Sequence, residues 1–218
     1  MLRRASSQTP LVSYVIIATC VLVWGLQVIP GSVVSNLLAY VPYATVAQPW
    51  RMITTGFVHD WSSPLHLLFN MYSLYIFGRG IEPLIGRVRY AALYFLALFG
   101  GSVGVLWLSP LDSWVVGASG AIFGLMASYF VIARTLGGNT NQLVGVIAIN
   151  LFLGFMVPNV AWQAHLGGLM VGGLVAYIYT RTRSVRSQKT QALLLVAVAA
   201  GLVVLTVIGA ITKMVPGI

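Results

Sequence analysis

The sequence predicts an all-α fold: a polytopic membrane bundle with a six-helix core and one further C-terminal transmembrane helix, N-in and C-out. Three observations carry that prediction. Of 218 residues, 59% are hydrophobic and only 7% charged, with mean hydropathy +0.92. A soluble domain carries about a quarter charged residues, so this chain cannot solvate a globular surface. The apolar residues gather into runs near the ~20 residues that cross a hydrocarbon core of ~30 Å. The basic residues fall between those runs, where a membrane protein carries its cytoplasmic anchors.

The apolar runs predict seven spans, at 11–30, 61–78, 90–108, 116–134, 142–157, 160–180 and 191–212. The first follows MLRRASSQTP and imitates a signal peptide. Its length of about 19 residues, with no clear small-x-small cleavage site after it, predicts a retained helix. A long connection, 31–60, contains Pro42, Pro49, Trp50 and Arg51. It is amphipathic and is expected to lie partly in the interface. The fifth span is the shortest and needs tilt, packing or local thinning to fit.

Orientation follows from the cations. Arg3 and Arg4 precede span one, and Arg79, Arg87 and Arg89 join spans two and three. Arg134 ends span four, while Arg181, Arg183, Arg186 and Lys189 join spans six and seven. All lie on one side if the N-terminus is cytoplasmic, leaving Arg51 and Lys213 outside. Trp50, Trp61, Trp107, Trp114 and Trp162 then fall at the outer ends, as an interfacial aromatic belt requires. The expected organisation is a cytoplasmic tail at 1–10, a core at 11–180, a basic linker at 181–190, and a seventh helix with a short outer tail at 191–218. The net charge of +9 does not suggest nucleic acid, because these positions already account for it. Cys20 is the only cysteine, which excludes an intrachain disulfide and a thiolate metal cluster.

Polar residues inside the spans are few and therefore informative. Spans two, four and six all enter from outside. His66 and His165 each lie about five residues in, roughly 7–8 Å deep, and Ser119 sits in the first turn of span four. Three helices thus bring one serine and two histidines to similar depth. Asn70 follows His66 at i+4 and shares its helical face. That pair reads either as hydrogen-bonding glue between helices or as donors aimed at developing negative charge. Gly120 and Gly124 after Ser119, and Gly168 and Gly172 after His165, form small-xxx-small pairs that permit close helix approach. If those two helices meet there, Ser119 and His165 come within the reach that a nucleophile and its base need. Gly117 and Ala118 suit a tight entry to the helix, whose free first-turn N–H groups can face an oxyanion. The three acids, Asp60, Glu82 and Asp112, lie in outer loops or at the inner end. A Ser–His dyad is therefore favoured over a triad.

GASG around Ser119, HLLFN with His66 and Asn70, AHLGGLMVG with His165, Trp50–Arg51, and GRGIE with Glu82 together resemble the rhomboid intramembrane serine proteases over about residues 11–180. The resemblance implies a serine endopeptidase with Ser119 as nucleophile and His165 as general base and acid. It implies an oxyanion hole of His66, Asn70 and the Ser119 backbone N–H, with no cofactor and no metal. Phe123 stands where the family carries an aromatic, often tyrosine, stacked on the catalytic histidine. Trp50 and Arg51 resemble the motif of the first loop, and Glu82 is implied to support packing. The implied partners are single-span transmembrane substrates and membrane lipids. Substrate entry is implied near helix five and the loop after it, 153–161. The extra helix resembles a six-plus-one arrangement. The expected location is a bacterial plasma membrane, with the site opening to the extracytoplasmic side. Two rival readings exist: an inactive relative that binds transmembrane helices without cutting them, and a small transporter, against which stands the lack of a convincing internal repeat.

Overall fold

The computed structural model describes residues 9–157 and 160–214, and these are helical apart from turns, loops and one isolated antiparallel bridge, Tyr40–Val115. Arg3 and Arg4 lie outside the described residues, as do 215–218 of the outer tail and Pro158–Asn159 of the predicted gate loop. We number the long helices α1 (Leu11–Gln27), α2 (Pro64–Ile85), α3 (Arg87–Leu108), α4 (Ser119–Thr135), α5 (Asn141–Met156), α6 (Trp162–Arg181) and α7 (Gln188–Met214).

Each predicted span overlaps one of these helices, with ends set by local chemistry. Pro64 begins α2 three residues later than the apolar run does, because a proline at the first turn loses no hydrogen bond. The helix then continues through the polar GRGIE stretch to Ile85, well past residue 78. Gly86, at φ +86°, ends α2 and starts α3 in one residue, a conformation open mainly to glycine. α1 stops at Gln27 rather than 30. α7 begins at Gln188, so the predicted linker 181–190 shrinks to a short connection with a 3₁₀ turn at Val185–Ser187.

α6 is the centre of the bundle, packed between α3 and α4 through backbone-to-backbone contacts. A Cβ at Gly168 would sit 2.6 Å from the Gly120 carbonyl carbon, and one at Gly124 would sit 2.9 Å from the Gly168 oxygen. Ser128 Oγ pins the same seam by donating to the carbonyls of Gly124 (2.7 Å) and Gly172 (2.8 Å). On the other side of α6, a Cβ at Gly101 would sit 2.9 Å from the Ala164 oxygen, and one at Gly104 would sit 3.3 Å from Gly167 Cα. Gly100, Gly101 and Gly104 thus make a second seam with the spacing that was read only on α4 and α6.

By contrast α5 buries only Gly154. Leu22, Phe152, Met170 and Leu193 point outward at 62–70% exposure on four different helices. An apolar surface spread around a bundle suits hydrocarbon rather than water. Among the described residues, α3 and the segment Val185–Lys213 are each long and apolar enough to cross a membrane on composition alone.

The connection from α1 to α2 holds two short helices, Val34–Leu38 and Arg51–Thr54, and 3₁₀ turns at Pro42–Ala44 and Thr55–Phe57. It is tied down along its length. Thr54 Oγ1 donates to the Leu38 carbonyl (2.8 Å), and Ser102 Oγ of α3 donates to the Met52 carbonyl (2.6 Å). Gln27 brackets His59, donating to its carbonyl (2.7 Å) and accepting its N–H (3.1 Å).

Candidate active site

Ser119 is the first residue of α4, and the turn before it is held by the long loop. The Tyr40–Val115 bridge and the Thr55 hydroxyl, which donates to the Val115 carbonyl (2.6 Å), fix the approach. The Gly117 N–H donates to the Thr55 carbonyl (3.1 Å). Gly117 itself adopts φ +118°, and a Cβ there would lie 3.0 Å from His66 Cε1 and Nε2. This glycine is required twice, once for its backbone angle and once for the space between His66 and Ser119.

His165 Nε2 lies 2.9 Å from Ser119 Oγ. The imidazole is 7% exposed, and Phe123 stacks on it with ring centroids 4.2 Å apart and planes 14° apart. Gly154 of α5 closes the far side, where a Cβ would come within 3.2 Å of His165 Nδ1. Nδ1 has no protein partner, and none of the three carboxylates backs the ring. The depths differ from the sequence reading. His66 is the third residue of α2 and His165 the fourth of α6, not the fifth, because the helices start at Pro64 and Trp162. All three side chains therefore occupy first turns.

His66 Nδ1 accepts the Asp60 backbone N–H (3.2 Å). An acceptor at Nδ1 leaves the ring proton on Nε2, the nitrogen beside the Gly117 turn, so His66 presents a donor toward Ser119. Asn70 is buried; its Nδ2 donates to the His66 carbonyl (2.8 Å), and its Oδ1 has no partner. One amide hydrogen is thus used locally, and one remains.

His59 lies in the connection that precedes α2. It is 1% exposed, with its ring 5.3 Å from that of His66. Burial, reinforced by the nearby His66, pushes its pKa down to about 3. The Ser62 hydroxyl and N–H hold the Asp60 carboxyl below its usual range. Only the crowding of histidines at 59 and 66 hinted at this in the sequence, since a flanking loop is normally assumed to be wet.

The outlying residues do not join Ser119. Arg51 is buried and donates from Nη1 to the Ala39 carbonyl (3.2 Å), whereas Trp50 is exposed. Glu82 is buried at the other end of α2. Its carboxylate accepts the N–H groups of Val12 and Ser13 (both 2.9 Å) and the Ser13 hydroxyl (2.7 Å). It therefore caps α1, which has no capping side chain of its own. A cavity of about 1090 Å³ opens over the serine, with Phe69, Asn70 and Ser73 of α2 on one side and Asn150, Leu153 and Val157 on the other. Among the described residues, no group of three or more His, Cys, Asp or Glu could hold a metal.

A serine within hydrogen-bond reach of a stacked, buried histidine in an apolar helical bundle invites comparison with known proteins. YdcA of Bacillus subtilis, named after the rhomboid proteases, is 31% identical over 142 residues, covering 63% of this chain and 70% of YdcA. Rhomboid protease GluP of the same organism is 36% identical over 135 residues, 58% of this chain but only 25% of GluP. Mitochondrial RHOMBOID-like protein 6 of Arabidopsis thaliana is 34% identical over 139 residues, 60% of this chain and 44% of that protein. The model of the rhomboid domain matches residues 46–182, which include all the long helices that line the cavity. The chain therefore belongs to the rhomboid family of integral membrane proteins, which includes serine proteases.

Proposed function

We propose that this chain is an intramembrane serine endopeptidase that uses a Ser119–His165 dyad to hydrolyse peptide bonds near the outer end of transmembrane segments. The observation that carries the reading is the 2.9 Å approach of Ser119 Oγ to His165 Nε2 inside a cavity. His165 takes the hydroxyl proton as Ser119 attacks the carbonyl, then returns it to the leaving amine. The flat stack of Phe123 on the imidazole restrains the tilt of the His165 ring. The developing oxyanion meets the Ser119 N–H, free because it lies in the first turn of α4, together with His66 Nε2–H and the remaining Asn70 hydrogen. Losing one such donor typically costs about 100- to 1000-fold in rate. Water then hydrolyses the acyl-enzyme.

The substrate class is single-span membrane proteins, entering between α2 and α5. The light packing of α5, which buries only Gly154, supports that route. The orientation is N-in and C-out in a bacterial plasma membrane, with the site toward the extracytoplasmic side; the distribution of basic residues supports it. The test is a fluorophosphonate probe together with a single-span reporter. Wild-type protein labels and cleaves, while Ser119→Ala and His165→Ala do neither. Cleavage by purified Ser119→Ala at the wild-type rate overturns the mechanism. Absence of both labelling and cleavage in the wild type favours a helix-binding relative without activity.

A further inference from the structure

At the end of the bundle opposite Ser119, a cavity of about 680 Å³ lies between the start of α3 and the start of α7. We propose that it is a binding site for one anionic phospholipid, the phosphate seated at Arg87 and Arg89 and an acyl chain running up the groove between α3 and α7. The lining changes character along the groove. Arg87, Arg89, Gln188 and Gln191 line it together with Ala92 and Leu195. The two arginines and Gln188 belong to the first turns, and Ala92 and Leu195 lie one to two turns further on. A polar mouth leading into an apolar groove matches a headgroup and its chain, and does not match a soluble anion.

The charge there is uncompensated. The Arg89 guanidinium is half-buried and donates to Gln191 Oε1 (2.7 Å), to Gln188 Oε1 and to the Ile85 carbonyl (3.3 Å). All three acceptors are neutral, and two of the five guanidinium hydrogens remain. No carboxylate is available to answer the charge. Glu82 is fully engaged in capping α1, while Asp60 and Asp112 lie in the loops at the Ser119 end. A partly desolvated cation without a counter-ion favours an anionic ligand. Basic pockets between transmembrane helices at this end of a bundle recognise phospholipid headgroups. The free N–H groups of α3's first turn add to the attraction. Bound there, the lipid bridges α3 to α7. The proposal does not depend on proteolysis.

The test uses the full chain purified in neutral detergent. Native mass spectrometry and thermal unfolding are read with phosphatidylglycerol, phosphatidylcholine or inorganic phosphate added. We expect phosphatidylglycerol to be retained about thirtyfold over phosphatidylcholine, the order two arginine contacts imply, and to raise the unfolding temperature. The exposed Arg87→Gln weakens that preference while leaving the Arg89 contacts with α7 intact, and Arg87→Gln with Arg89→Gln abolishes it. Arg134→Gln, at the end of α4, leaves it unchanged. If the double variant fails to fold, Arg87→Gln decides alone. Equal retention of the two lipids, or unchanged retention in Arg87→Gln, overturns the proposal. So does inorganic phosphate reproducing the stabilisation and displacing the lipid, which would make this a simple anion site.

Discussion

Replacing Gly168 by alanine tests whether the α4–α6 seam positions the proposed dyad. The new Cβ would lie 2.6 Å from the Gly120 carbonyl carbon and 3.2 Å from its Cα, so the obstacle is backbone and cannot rotate away. Carbon atoms rest about 3.5 Å or more apart, so the helices must separate by about 1 Å. Overpacking of this kind costs about 1–3 kcal/mol in stability. The larger effect falls on chemistry. Ser119 rides on α4 one residue from Gly120, His165 rides on α6, and their 2.9 Å contact does not survive that separation. A misplacement of ~1 Å can cost about 100-fold in rate. Gly173→Ala is the control, since its Cβ would meet only Ala127 Cβ at an ordinary 3.6 Å. It should stay within ~0.5 kcal/mol of wild type. The assays are thermal unfolding in detergent and the rate of fluorophosphonate labelling. Wild-type labelling and unfolding in Gly168→Ala would falsify the seam argument. An equal loss in both variants would refute it as well, by pointing to a general intolerance of α6.

Other perturbations separate the remaining parts. Gly117→Ala forces an alanine to φ +118° and puts a methyl 3.0 Å from His66 Nε2. We expect about 1–3 kcal/mol of strain and, from the blocked donor, a drop in cleavage of about 100-fold or more, measured on the folded fraction. Glu82→Gln removes the charge from the cap of α1 and turns an amide donor toward N–H groups. Unfolding should come earlier by about 1–3 kcal/mol, while the folded fraction still labels at Ser119. His59 has a native pKa of about 3 against 6.5 when unfolded, so the unfolded chain binds its proton first. Stability from this group is complete above pH 6.5 and is lost as pH falls toward 3. With Asp60 and His66 beside it unchanged, His59→Phe should flatten the stability profile across that window. An equally steep profile in the variant would remove His59 as the source.

The long helices could be read from the sequence because a bilayer makes hydrophobicity nearly one-dimensional, and a run of apolar residues has few other uses. The glycine pairs at 120/124 and 168/172 were equally readable, since close backbone approach leaves no alternative residue. The same spacing at Gly100 and Gly104 carried the same information, but no reactive side chain drew attention to it. Helix starts were misjudged at Pro64 and Trp162 because the apolar run and the hydrogen-bonded run do not begin together. Least visible was the loop chemistry around the site. The Asp60 N–H that sets the His66 tautomer, and the Gln27 side chain that brackets His59, act across 6 and 32 residues of chain. Such contacts leave no periodic trace. Asn70 was read as sharing a face with His66, and its amide does bond to the His66 backbone rather than standing free.

Lys213 Nζ donates to the carbonyls of Leu106 (3.1 Å), Trp107 and Ser109 (both 3.0 Å) at the end of α3, while Arg89 ties the start of α3 to α7. α7 is therefore riveted to α3 at both tips, and two glycine seams weld α3, α6 and α4 into one stiff wall. The compliance of the protein is concentrated on the opposite flank, in α5. When the surrounding bilayer thins, thickens or curves, the wall is expected to hold its length and pass the load to α5, the one lightly packed helix among those that border the cavity. Lipid chain length is therefore expected to alter the width of the cavity mouth more than the 2.9 Å contact between Ser119 and His165 on its floor.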